Sequence, residues 1–299
     1  MDKTDGRLQG PMRYVLLLLL PLVAFAVLQP AGRPSKTPFV SGDAFRAYSD
    51  HCYDEVDRSL DPKAVQKGDT VFVKPDFFED FFKEVHPQIE HPYILITHNS
   101  DYAVPGLFAA MLDDPKIIAW FGQNYDGTPH PKMHPIPIGI ANFCWPHGNA
   151  DVLLEIRSKA FAKAHLAHMN IQIKTYPQER LGVHTQFSRE TFCYRTGNKP
   201  FRLFLSDIAS SRFEISPRGN GLDTHRLWES LYLGTIPIVK SSTLDSLYEG
   251  LPVLIIDDWK QVNRQFLTDK QEEFSHRQFS LEKTSMGHWI RLIDSYKCL

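Results

Sequence analysis

The sequence predicts an α/β chain of two lobes in series, each a parallel sheet flanked by helices, with an apolar helix ahead of them. Three observations carry this. Short runs rich in β-branched residues alternate with helix-length stretches, the order that yields parallel sheets. Some runs are almost continuously apolar, as in Tyr93 to Thr97 (YILIT), the pattern of a strand buried on both faces. A glycine-rich turn, Pro217 to Leu222, joins a strand directly to a helix. Of the 299 residues 42% are apolar and 23% charged, an ordinary globular composition. The 33 basic and 35 acidic residues nearly balance and form no dense Lys/Arg block, so nucleic acid is not an expected partner.

Residues 1–28 hold Lys3, Arg7 and Arg13 ahead of an uncharged run, YVLLLLLPLVAFAVL, at 14–28. As a membrane anchor the run is short against the roughly 20 residues a bilayer core needs, and Pro21 interrupts it. As a cleavable signal, Ala24-Phe25-Ala26 fits the small-x-small pattern. Both readings carry residues 43–299 across the membrane, because Lys and Arg favour the cytoplasmic side. Residues 29–42 (QPAGRPSKTPFVSG) read as an extended stem.

The first lobe is expected over residues 43–175. Its strands are Thr70 to Lys74, Tyr93 to Thr97, Lys116 to Phe121 and a short one near Ile136 to Ile140, and Ala150 to His168 reads as a helix. The second lobe is expected over 176–299. Its strands are Leu181 to Phe187, Arg212 to Ser216, Thr235 to Val239 and Val253 to Ile256. Its helices are Phe201 to Ser211, Asp223 to Leu233 (capped by Asp223 or Thr224 and stopped by Gly234) and Leu244 to Tyr248. Cys52, Cys144, Cys193 and Cys298 match no zinc spacing; in an exported protein they would form two disulfides, with three pairings open. No Asn-x-Ser/Thr sequon occurs.

The chemistry concentrates in residues 212–239, a strand, glycine-rich turn, helix and strand. Gly219 and Gly221, flanking Asn220, allow a ligand to approach the main chain. The helix behind them offers unpaired N–H groups and a positive dipole end, suited to a diphosphate. Arg218 and Arg226 can give forked hydrogen bonds to phosphate oxygens. Glu229, three residues beyond Arg226, shares its helix face and can accept from a ribose diol. Asp223 completes the set. A plain surface pair on an ordinary glycine turn is the competing reading of these residues.

The run SPRGNGLDTHRLWESLYLGTIPIV at 216–239 closely resembles the signature of exostosin-like glycosyltransferases: Pro-Arg-Gly, then Asp, a basic residue, a Trp-Glu pair and Gly-x-Ile-Pro-Ile/Val. THNSD, WFGQN and HPKMHPIPIGI resemble the first-lobe pattern of relatives in that broad group. The resemblance implies a GT-B architecture, two Rossmann-like lobes facing a central cleft. It implies inverting transfer of a sugar from a nucleotide sugar, uridine-linked, to a glycan or glycoprotein acceptor. It implies single-pass type II residence in the Golgi or endoplasmic reticulum membrane, which favours an uncleaved anchor over a secreted product, and it assigns Arg218, Arg226 and Glu229 to phosphate and ribose. The compact first lobe leaves the acceptor open.

No Asp-x-Asp triplet occurs, and Asp113-Asp114 and Asp257-Asp258 are adjacent pairs whose side chains need not converge. His130, His134 and His147 lack ligand spacing and read as loop histidines. No metal or other cofactor is therefore expected, and Arg218, Arg226 and the helix N-terminus would stabilise the leaving diphosphate. Inverting transfer needs a base from the first lobe; Asp101 and His98, in the loop after YILIT, are the candidates, with turn capping the competing role. Asn124 and Lys132 are further candidates for the cleft lining. A non-catalytic carbohydrate- or nucleotide-binding protein of the same fold is the alternative function. A nucleotide-sugar epimerase would want a Gly-x-Gly-x-x-Gly turn after an early strand, and none is found.

Overall fold

The computed structural model describes residues 35–298. The apolar segment at 14–28 and the first residues of the expected stem, 29–34, lie outside the described residues. Among the described residues no helix is long and apolar enough to cross a membrane.

Two five-stranded sheets form, and every strand pairing within them is parallel. The first runs in chain order: β1 (His51–Tyr53), β2 (Thr70–Val73), β3 (Tyr93–Thr97), β4 (Ile117–Gly122) and β5 (Met133–Pro135). The second contains β6 (His165–Met169), β7 (Cys193–Arg195), β8 (Ser211–Ile215), β9 (Ile236–Lys240) and β10 (Leu254–Ile256), in the order β10-β9-β8-β6-β7. The helices are α1 (Gly42–Tyr48), α2 (Phe78–Asp80), α3 (Ala150–Arg157), α4 (Pro177–Phe187), α5 (Phe201–Ala209), α6 (His225–Tyr232), α7 (Asp245–Tyr248), α8 (Arg264–Ser275) and α9 (Met286–Asp294). The two-lobed α/β expectation is met.

Several sequence expectations move. The helix expected over 150–168 ends at Arg157, and His165–Met169 is β6, sandwiched between β7 and β8. The second sheet therefore takes residues ahead of 176. The strand expected over 181–187 is part of α4; Arg180, Val183 and Phe187 form its buried face, a helical spacing, while Leu181 points outward. The strand near 136–140 lies earlier, as β5. Phe39, Val40 and Ser41, expected in the stem, are buried: Phe39 packs edge-on against Tyr232 and the Val40 N–H donates to the Tyr232 hydroxyl. The expected disulfides do not form; all four cysteines are free thiols. Cys52 and Cys193 are buried on strands of different sheets, and burial pushes their thiols up to about 11 and about 12.

One hydrophobic core runs through both lobes, joining Phe45, Phe72, Phe121 and Ile140 with Leu227, Trp228, Leu231 and Trp289. Loops that follow strands of the two sheets meet beside it: Asn124, after β4, accepts from the Asp223 N–H, and Thr243, after β9, donates to the Tyr125 carbonyl.

Candidate functional site

The order of the second sheet reverses between β6 and β8: β7 lies to one side of β6 and β8 to the other. In open α/β sheets ligands enter at such a switch point, outside the carboxyl ends of the strands. A cavity of about 570 Å³ opens there. Its walls include the segment after β6 (Asn170, Gln172), the segment into α5 (Asn198 to Phe201, Phe204), the glycine loop (Gly219, Asn220), one face of α6 (His225, Arg226, Glu229) and, from the first lobe, Pro146 and His147.

Arg226 is held from behind. Its Nε lies 3.2 Å from Oε1 of the fully buried Glu214, and its guanidinium also donates to the Asn170 carbonyl and lies 5.8 Å over the Phe204 ring. Glu214 in turn pairs with His168 Nδ1 at 2.6 Å, the two being register neighbours on β8 and β6. Glu229 lines the same cavity; burial pushes its carboxyl up to about 8, with Arg226 opposing. The helix pattern that placed Arg226 and Glu229 on one face thus delivers both to the crevice.

The rest of the expected donor set divides. Arg218 faces the other side of the loop, where its guanidinium lies 4.3 Å over the Tyr176 ring and donates to the Asn220 carbonyl at 3.1 Å. It lines a separate cavity of about 250 Å³ with Ser216, Lys240 and Ser241, so the two guanidinium groups do not converge. Asp223 is sealed in: its carboxylate accepts from the Trp228 indole at 2.8 Å, the Ile138 N–H at 2.8 Å and the Tyr248 hydroxyl at 3.3 Å. With every lone-pair direction taken by protein, Asp223 ties the loop to the first lobe instead of meeting a ligand, and burial raises its carboxyl to about 6. Thr224 takes the N-cap position of α6 without a side-chain bond to the helix.

Neither Gly219 nor Gly221 has a positive φ. Gly221 is needed for proximity: a Cβ there would lie 2.7 Å from Asn124 Nδ2. Asn124 is itself fixed, accepting from the Asp223 N–H at 3.0 Å and donating to the Ser100 carbonyl at 3.1 Å. It is a bracket between the lobes, not part of the cleft lining. Lys132 is turned away and donates to the Asp114 carbonyl.

The sequence reading missed Arg180. It lies under the glycine loop, 5% exposed, and donates to the carbonyls of Gln172, Pro217 and Arg218. Burial, then the neighbouring Arg226, lowers it to about 10. Its signal was hidden because α4 was read as a strand.

A second cavity, about 420 Å³, lies at the carboxyl edge of the first sheet. Asp101, exposed, lines it together with Glu55, Asp76, Asn99 and Trp145. His98 lines it too, but both ring nitrogens are engaged. Nε2 lies 3.0 Å from the Pro137 carbonyl and Nδ1 accepts from the Asn99 N–H at 2.7 Å, and burial lowers the ring to about 4. His98 is therefore a neutral structural group with no lone pair to offer a substrate. Among the described residues no cluster of three or more His, Cys, Asp or Glu has metal-holding geometry.

No protein-family model and no curated protein matches the chain. Solved structures give loose likenesses. The UDP-forming α,α-trehalose-phosphate synthase of Burkholderia vietnamiensis is 11% identical, over 79% of this chain and 68% of that one, with a TM-score of 0.38. An E. coli trehalose-6-phosphate structure bound with UDP-2-fluoro glucose is 9% identical, over 78% and 72%, at 0.41. The pneumococcal O-GlcNAc transferase GtfA with UDP and GlcNAc is 10% identical, over 78% and 53%, at 0.36. Likeness at this level fixes neither substrate nor reaction.

Proposed function

We propose that this protein is a glycosyltransferase of the exostosin-like, GT-B kind, transferring a sugar from a UDP-linked donor to a glycan or glycoprotein acceptor with inversion. The observation that carries the proposal is the cavity at the switch point of the second sheet, where Arg226 and Glu229 stand beside the loop at Gly219 and Asn220. Arg226, fixed by Glu214, meets the diphosphate, and Glu229 accepts from the ribose diol. Phe201 and Phe204, with ring centroids 6.4 Å apart, give the base an apolar wall. Arg180 keeps positive charge beneath the loop as the diphosphate leaves. The acceptor enters from the first-lobe cavity. By the run at 14–28 the chain is a single-pass type II protein of the Golgi or endoplasmic reticulum membrane, with residues 43–299 lumenal.

The test is binding and turnover by the full chain. UDP raises the melting temperature, since a ligand confined to the folded state stabilises it by ~2.7 kcal/mol at 100 times its Kd. UDP is released from a UDP-sugar without added divalent cation. Glu229→Ala and Arg226→Ala each lose most of both effects. UDP that leaves the melting curve unmoved, or turnover strictly dependent on manganese, speaks against the reading.

A further inference from the structure

Among the described residues, two line both the first-lobe cavity and the switch-point cavity, and both are histidines: His147 and His225. Each comes from a different lobe. The position matters because the attacking hydroxyl must reach an anomeric carbon whose leaving group lies in the second cavity. A group that takes the hydroxyl's proton must stand within hydrogen-bond reach of that oxygen, so it belongs at the shared wall. Asp101 and His98 line the first cavity alone.

His225 is set up for the task. It is the first residue of α6, and its Nδ1 lies 2.8 Å from the Gly139 carbonyl of the first lobe. A carbonyl can only accept, so Nδ1 carries the proton and Nε2 holds a lone pair. His147 is less constrained. It sits on an exposed turn, its ring stacked near Trp145 with centroids 6.2 Å apart, and it makes no hydrogen bond among the described residues. Gly148 keeps that turn tight, since a Cβ there would run into the Asn142 carbonyl oxygen.

We propose that His225 is the general base of the transfer, accepting the acceptor hydroxyl's proton on Nε2. This rests on the glycosyltransferase reading above. The hydroxyl oxygen forms the new bond to the anomeric carbon, and the bond from that carbon to the phosphate oxygen breaks with its electron pair leaving on UDP. The proton passes to Nε2, giving an imidazolium whose Nδ1–H stays on the Gly139 carbonyl. The titratable groups facing the ring are His147 and His98, both from the first lobe. Burial first, then His147 and His98, lowers His225 to about 4, so it enters the reaction unprotonated. A diphosphate arriving in the adjoining cavity raises its proton affinity. Because the Gly139 contact crosses the lobes, the ring is aimed only when the lobes are together.

The experiment uses the full chain, its His225→Gln and His147→Gln variants, and UDP-glucose, UDP-galactose and UDP-N-acetylglucosamine as donors. We expect His225→Gln to bind UDP within about threefold of wild type and to release UDP from the turned-over donor on the order of 10²–10⁴-fold more slowly. His147→Gln loses less than about tenfold. Wild-type turnover by His225→Gln overturns the assignment, as does a product of retained anomeric configuration, for which the leaving phosphate would take the proton. Ring ¹⁵N shifts of His225, assigned by their absence in His225→Gln, should show Nδ1 protonated; an Nε2-protonated ring overturns it without any turnover. A wild-type chain that binds no UDP would instead sink the glycosyltransferase reading.

Discussion

Glu229 holds an acid in an environment that disfavours its charge. A glutamate in the unfolded chain titrates near its ordinary value of about 4.3, whereas burial places the folded group at about 8. Between those values the folded state carries a proton the unfolded state lacks, so stability falls as pH rises through the window, and the full loss is present above about 8. Asp223, raised to about 6, adds a loss of the same sign over the lower part of that window. Glu229→Gln keeps the shape and removes the titration. Its unfolding free energy, followed through the melting temperature, should match wild type near pH 4.5 and exceed it increasingly towards pH 8, by an amount on the order of a few kcal/mol. Parallel melting-temperature curves for the two proteins would show that the carboxyl is not held neutral.

The strand–turn–helix element from β8 through α6 is where residue types and backbone path constrain each other most tightly. Asp223 pins the turn to Ile138, Trp228 and Tyr248, and Asn124 seats against Gly221. Asn124 is bonded on both sides and cannot give way cheaply. Gly221→Ala should therefore lower unfolding free energy by about 1–3 kcal/mol in urea denaturation and weaken UDP binding, through overpacking and not through backbone angle. Unchanged stability in that variant would mean the loop can part from the first lobe without loss. The element also explains a split in legibility. α6 announced itself by its glycine turn and its Gly234 stop, and its face was readable residue by residue. α4 and β6 were not readable: Leu181, read as the start of a strand, is exposed on the outer side of α4, and His168, read as the end of a helix, lies on β6, wholly buried against Glu214.

At the scale of the molecule the two lobes are laced by the ends of the described chain. The Tyr232 hydroxyl of α6 accepts from Val40 N–H at 3.1 Å and donates to the Thr284 carbonyl at 2.5 Å. Beyond it, α9 returns to the first lobe. There Asp294 accepts from the Tyr48 hydroxyl at 2.6 Å, and the Tyr296 ring lies 5.5 Å from Phe121 and 4.8 Å from His134. The last segment, assigned from sequence to the second lobe, thus packs on the first. Tyr232→Phe leaves a buried N–H and a carbonyl without their partner. It should cost about 1–3 kcal/mol while unfolding remains a single transition in calorimetry. A separate early transition in the variant would show that the lobes unfold independently and that the lacing does not couple them.

What the sequence determined by itself is local: the alternation of elements, the buried strands such as Tyr93–Thr97, and the face of α6 that carries Arg226 and Glu229. These follow from periodicity and turn chemistry, which act over a few residues. The tertiary structure alone decided which polar residues meet solvent-filled space. It sealed Asp223 and His98 into hydrogen-bond brackets, turned Arg218 to a different cavity, brought Arg180 beneath the loop and set His147 beside His225 at the wall between the lobes. The reason is physical: a buried polar group must be satisfied wherever the chain happens to bring a partner, and those partners lie far apart in sequence.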